Sequence, residues 1–281
     1  MKALVIRIYK MMARSFLGVI KDRVRSIIKL CTKPAKSPLL QVIDERALSS
    51  NNTLYRLGTK YGGWLLPLNV NLNEESICYL AGAGEDISFD CALVEKFGVK
   101  ARIVDPTPRA ISHFEKLRES IQAGKKFPIN GSSTDFYSIS ERLLARISFL
   151  PYGLAGKDMQ MKFYFPKDPS HVSCSVMNLQ NTDEYFEANC YRLSSLMRTQ
   201  GDSSIDLLKM DIEGGEYDVL DDLIESRLLP SLLLVEFDEA HTPLHGDAMM
   251  RISDRVRRLE DLNMICIAVD GCNATFQYQP K

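Results

Sequence analysis

From about residue 74 onward, short apolar runs alternate with longer stretches of helical periodicity, which restricts the chain to βαβ units and a mostly parallel sheet. The spacing predicts strands over Ile77–Leu80, Arg102–Val104, Ile147–Leu150, Ile205–Met210, Leu232–Phe237 and Met264–Val269, with Thr275–Tyr278 as a closing strand. It predicts helices over Ser88–Phe97, Arg109–Gln122, Tyr217–Ser226 and Asp247–Leu262. Such a series folds as a doubly wound α/β domain, here residues 74–281, whose ligand crevice opens at the carboxyl ends of the strands. Between the third and fourth strands lies a longer insert, including Lys162–Phe165 and Cys174–Asn178, whose pattern fixes no arrangement.

Ahead of that domain, residues 3–31 place Leu4, Ile8, Met11, Phe16 and Val19 on one side of a helical wheel and Arg7, Lys10, Arg14, Lys21 and Arg25 on the other. That is the pattern of a basic amphipathic helix. It suits a peripheral contact of residues 1–31 with anionic membrane, and it suits a helix packed on the domain or on a second subunit. Pro34 and Pro38 mark a linker, so residues 1–40 read as helix and linker and residues 41–73 as a segment covering the domain.

Residues 1–40 carry ten Lys or Arg against the single acid Asp22, which leaves 25 basic and 35 acidic residues beyond them. A domain that acidic argues against nucleic acid as substrate, because phosphates favour a basic face. The seven cysteines, Cys31, Cys78, Cys91, Cys174, Cys190, Cys266 and Cys272, are odd in number and form no C-x-x-C pair, which predicts reduced thiols. No run approaches the ~20 apolar residues of a membrane span. Basic residues also interrupt the first apolar positions, against a signal peptide, so the expected location is cytoplasmic, membrane-peripheral if the helix binds lipid.

Chemistry gathers in three stretches. Ala81-Gly82-Ala83-Gly84-Glu85-Asp86 follows the first strand and precedes a helix, where glycines let backbone turn tightly and approach a ligand. Asp105 ends the second strand 21 residues after Gly84, the position from which a carboxylate accepts from the hydroxyls of an adenosine ribose; its other reading is a turn residue before Pro106 and Pro108. The fourth strand delivers Asp211 to the same edge, and Glu213 and Glu216 follow across the Gly214-Gly215 turn.

Leu80-Ala-Gly-Ala-Gly-Glu-Asp-Ile-Ser-Phe-Asp90, then Val104-Asp-Pro-Thr-Pro108, then Leu208-Lys-Met-Asp-Ile-Glu-Gly-Gly-Glu216 resemble the FkbM family of O-methyltransferases, from about Tyr61 to Tyr278. The resemblance implies a Rossmann-like class I methyltransferase domain with S-adenosylmethionine as cofactor and a hydroxyl oxygen as methyl acceptor. It implies cofactor contacts from Ala81, Gly82, Ala83, Gly84, Asp86, Asp105, Pro106 and Asp211. Two positions depart from the usual pattern: Leu80 stands where many methyltransferases carry an acid inside strand one, and Asp86 where the loop's third glycine would be.

A hydroxyl is a poor nucleophile until a positioned base takes its proton. The candidates are Asp211 and Glu213, with Glu216 better read as complementing its helix dipole, and Glu236 and His241 after the fifth strand. His241 leads, because an unperturbed imidazole pKa near ~6.5 leaves much of it neutral at cytoplasmic pH. No metal is called for; a divalent ion held by Asp211, Glu236 and His241 is the lesser alternative. Upstream, Tyr61-Gly-Gly-Trp-Leu-Leu-Pro67 reads first as a small hairpin covering the core and second as an aromatic platform for a glycan.

The reading that results is an S-adenosylmethionine-dependent O-methyltransferase with a sugar, glycolipid, polysaccharide or related small-molecule acceptor. A nucleotide-cofactor oxidoreductase competes poorly, since the loop does not complete G-x-G-x-x-G. A non-catalytic binding protein retaining the fold has only Leu80 and Asp86 in its favour.

Overall fold

The computed structural model describes residues 37–44, 48, 53–166, 174, 182–241, 243 and 246–280, all in one compact unit spanning Ser37–Lys281. The amphipathic helix predicted over residues 3–31, the segment 175–178 and His245 lie outside the described residues.

The described chain opens with a hairpin, β1 (Leu54–Leu57) antiparallel to β2 (Trp64–Pro67). Then come β3 (Ile77–Ala81), α1 (Ser88–Phe97), β4 (Lys100–Val104), α2 (Pro108–Gln122), the short α3 (Glu141–Leu144) and β5 (Ile147–Leu150). An insert follows with β6 (Gly153–Leu154), β7 (Met159–Tyr164) and β8 (Tyr185–Tyr191). The chain closes with α4 (Leu193–Gln200), β9 (Leu207–Met210), α5 (Glu216–Ser226), β10 (Leu232–Glu236), α6 (Ala248–Asp261), β11 (Met264–Asp270) and β12 (Asn273–Tyr278). Each strand and helix predicted from residue 74 on is present with ends shifted by two residues or fewer. The helix α4 was not anticipated, although Leu193, Leu196 and Met197 at helical spacing and the left-handed Gly201 after it carry its signature.

Seven strands pair in the order β11-β12-β10-β9-β3-β4-β5, with β12 antiparallel to both neighbours and the other pairs parallel. Strand residues are apolar on both sides and alternate between two cores. Cys78 and Leu80 of β3 and Leu232 and Leu234 of β10 pack with α1, α2 and the hairpin, while Tyr79, Ala81, Leu233 and Val235 pack with α4, α5 and α6. The sheet is therefore wound in both directions from β3, and the crevice falls between the carboxyl ends of β3 and β9, where the order reverses.

The insert folds as a separate three-stranded sheet, β6-β8-β7, beyond the end of β5. Its inner face stacks Phe163 on Phe186, with Cys174 and Cys190 buried beside them. Six cysteines among the described residues are free thiols, five of them buried. Among the described residues, no helix is long and apolar enough to cross a membrane.

Leu39 and Ile43 are buried against the α4–α6 side, and Ser37 bonds the Gly271 carbonyl, so the unit's own packing begins at Ser37. A chain starting at Ser37 is expected to unfold cooperatively with a Tm close to that of the full chain, whereas one starting at Asp44 loses two buried side chains, about 2–5 kcal/mol for each large-to-small equivalent. Calorimetry reads both. Anionic liposomes serve as the second readout: binding by the full chain and not by the truncated one supports the lipid reading of residues 1–31, and equal binding defeats it.

Candidate active site

The loop after β3 is shaped by one contact that only glycine permits. Gly82 has φ +79°, and a Cβ there would fall 1.6 Å from the carbonyl oxygen of Asp211. Three strand ends are stitched at that point, Gly82 N–H donating to Val104 O at the end of β4 (3.0 Å) and Asp211 N–H, just past β9, to Ala81 O of β3 (3.2 Å). Asp105, 4% exposed, braces the loop from beside it. Its Oδ2 accepts from the N–H groups of Ala83 (2.8 Å) and Gly84 (3.0 Å), and its Oδ1 from the N–H (2.7 Å) and hydroxyl (2.6 Å) of Thr107. A carboxylate offers about four acceptor positions. Those four bonds tie the carboxylate to the loop and to the entry of α2, and it also lines the cavity beside them.

Asp86 replaces the third glycine with a knot. Its Oδ2 accepts from Thr59 Oγ1 (2.8 Å) and Asn130 Nδ2 (2.8 Å), and its Oδ1 from Ser88 N–H (3.0 Å). Burial pulls its pKa upward, but the bonds from Ser88, Thr59 and Asn130 outweigh that and hold the group below the usual carboxylate value. The β1–β2 turn is thereby tied to the loop, and Gly62 is needed there, since a Cβ would meet the Asp86 carboxyl carbon at 2.7 Å.

On the β9–β10 side stand five acids and one lysine. Lys209, 5% exposed, pairs in register with Leu80, donates to the Gly82 carbonyl and lies 3.8 Å from Asp211. Its buried countercharge is Asp90 of α1, whose pKa rises to about 6 because burial outweighs the attraction of Lys209, and whose Oδ1 has no hydrogen-bond partner among the described residues. Glu213 takes a left-handed φ of +50°, and the turn after it is held by Gly214 N–H to Glu216 Oε1 (3.0 Å). Behind it burial raises both Glu216 and Asp238; Asp238 draws Glu216 back down while Glu216 drives Asp238 up to about 10, so of the two Asp238 holds the proton. Glu236 is pushed up to about 8, first by burial and then by the charges of Asp211 and Glu213.

These walls enclose a cavity of about 400 Å³. Gly82, Ala83, Gly84, Asp86, Asp105 and Pro106 line one side; Lys209, Asp211, Glu213 and Glu236 line the other. Ala81 is fully buried in the α4–α6 core and does not line it. His241 does not line it either: it is exposed at the end of a 3-10 turn after β10, its N–H on Asp238 O (3.0 Å). Glu216 supports the turn from behind, as its helix-start position suggested. No three His, Cys, Asp or Glu side chains among the described residues are arranged to hold a metal ion. Tyr61, from the segment read second as an aromatic platform, lines the cavity, as do Lys209, Asn130 and the insert's Leu154 and Phe163, which the sequence did not single out.

Comparison with protein-family models matches residues 68–259 to one described as the methyltransferase FkbM domain. Comparison with curated proteins finds no match.

Proposed function

The chain belongs to the FkbM methyltransferase family, and from that premise we propose that it is an S-adenosylmethionine-dependent O-methyltransferase acting on a hydroxyl of a sugar, glycolipid, polysaccharide or related metabolite. The observation that carries this reading is the division of one cavity into a glycine-loop wall built from backbone and an acidic wall built from Asp211, Glu213 and Glu236. That donor set fits a cationic, adenosine-bearing cofactor: the loop approaches closely, and the carboxylates favour positive charge in a low-dielectric crevice. The cofactor, when bound, supplies an electrophilic methyl group carried on a sulfonium.

The chain's own residues do the rest. Gly82, Ala83 and Gly84, braced by Asp105, offer backbone to the cofactor, and Pro106 walls the slot beside them. Lys209 fixes the crossing of β3 and β9 through the Gly82 carbonyl, which holds Asp211 at the cavity. Glu236 is the proton acceptor for the hydroxyl, because it lines the cavity and its pKa of about 8 sits near working pH, where a general base is most effective.

The test is a thermal-shift comparison of two ligands. S-adenosylhomocysteine at a hundred times its Kd is expected to stabilise the protein by about 2.7 kcal/mol, and a nicotinamide dinucleotide not at all. Stabilisation by the dinucleotide alone would move the assignment to an oxidoreductase. Stabilisation by neither would favour a binding protein that keeps the fold.

A further inference from the structure

Tyr61 is the most exposed of the large apolar side chains among the described residues, at 80%, and yet it lines the cavity. Its neighbour in sequence, Trp64, is 3% exposed and belongs to the core beneath the hairpin, so the aromatic available to a ligand in this segment is the tyrosine. The turn that carries it is locked on several sides. Thr59 Oγ1 donates to Asp86, Thr59 N–H donates to Ser88 Oγ (2.9 Å), Gly62 N–H donates to Thr59 Oγ1 (2.9 Å), and Arg56 donates to the Gly63 carbonyl (2.7 Å). An exposed ring on a turn held this firmly is preorganised for contact, with little ordering left to do when a ligand arrives.

The ring's position tells which ligand. The ring lines the same cavity as the acidic wall of Asp211, Glu213 and Glu236, and the charges of that wall reach its hydroxyl. That wall is where the proton acceptor stands. Carboxylates there repel a phosphate or carboxylate on the incoming group and accept hydrogen bonds from neutral hydroxyls. An aromatic face beside hydroxyl-accepting carboxylates matches a ring that has an apolar face and a polar rim.

We propose that the tip of the β1–β2 hairpin is the acceptor wall of the site, and that Tyr61 is a specificity-determining residue on whose face the uncharged pyranose ring of the acceptor stacks opposite Asp211, Glu213 and Glu236. The proposal rests on the methyltransferase reading above and adds to it where the acceptor lies and what shape it has.

The experiment measures methyl transfer from labelled S-adenosylmethionine to a panel of neutral methyl pyranosides and, separately, to acyclic alditols, with wild type, Tyr61→Ala and Tyr61→Phe. Pyranosides are expected to be methylated in preference to alditols. Loss of a stacking platform worth about 0.5–1.5 kcal/mol corresponds to a rise in pyranoside KM of roughly two- to tenfold for Tyr61→Ala. The same variant is expected to leave kcat and the Kd for S-adenosylhomocysteine unchanged, and Tyr61→Phe, which keeps the ring, to stay close to wild type. Equal transfer to alditols, or a Tyr61→Ala variant with wild-type KM, overturns the platform while leaving the methyltransferase reading in place. Transfer to neither class by a protein that still binds S-adenosylhomocysteine overturns the hydroxyl acceptor and the platform together.

Discussion

Gly82→Ala is expected to cost the domain a large part of its stability and to abolish cofactor binding. The left-handed backbone alone is unfavourable for a non-glycine residue by roughly 1–2 kcal/mol. The added methyl would also fall 1.6 Å from a backbone oxygen, not from a flexible side chain, so the carboxyl ends of β3 and β9 must part to admit it. Forcing a group into packed surroundings adds about 1–3 kcal/mol, so the total reaches about 2–5 kcal/mol. A domain's whole stability is only about 5–15 kcal/mol. Gly84→Ala is the control: φ is +54° there and nothing lies within 4 Å of the new Cβ, so only the backbone cost applies. Urea unfolding and calorimetric titration with S-adenosylhomocysteine read both variants. A Gly82→Ala protein as stable as Gly84→Ala would show that the strand ends do not cross as closely as described.

The second large effect belongs to Glu236→Gln, which should lower kcat by ~100-fold to ~10,000-fold while leaving the Kd for S-adenosylhomocysteine almost alone. The pH dependence fixes the sign. Only the ionised carboxylate accepts a proton, and its pKa is raised to about 8, so kcat/KM should rise with pH through that value and be reduced at pH 7. A cationic ligand against the acidic wall favours the ionised form, which places the kcat inflection lower than that of kcat/KM. Stability runs the other way. The native state binds this proton more tightly than the unfolded chain does, so its contribution is fully present below about 4.5 and is lost as pH rises through about 8. Glu236→Gln should therefore be less active but less sensitive to alkaline unfolding. His241→Ala is the companion variant, and turnover within a few-fold of wild type is expected because that ring is exposed outside the cavity lining. Near wild-type turnover in Glu236→Gln would move the base to Asp211 or Glu213.

The proposed base is Glu236 and not His241 because of where the fold puts each side chain. Strands and helices were legible because β3 and β10 are apolar on both sides and the helices between them keep a single stripe, a pattern that survives any detail of packing. The insert was not, since β6 has two residues and β7 alternates inner Phe163 with outer Lys162 and Tyr164 in a run too short to tell from a loop. Residue type announced His241 as a base, but the pKa of Glu236 is set by burial and by Asp211 and Glu213, which meet it only in the folded chain. Leu80 looked like a missing acid; the strand pairing sets it beside Lys209, whose ion-pair partner is Asp211 at the end of its own strand, with the buried Asp90 of the next helix within reach of its charge. The segment of Tyr61 offered two readings, hairpin cover and aromatic platform, because nothing local says that its turn is tied to Asp86 and Ser88 beside the cavity.

The placement of β12 carries a consequence for how the molecule assembles. It is the last strand in chain order, yet it lies inside the sheet, with β10 on one side and β11 on the other. Until it arrives, β10 presents Leu232, Leu233, Leu234 and Val235 along an unpaired backbone edge, and β11 has no neighbour. Nascent or unfolding chains that have formed β3, β4, β5, β9 and β10 thus expose a sticky border. The final six residues of sheet close it. Closure by β12 therefore competes with self-association of that border, and the competition sharpens as concentration rises.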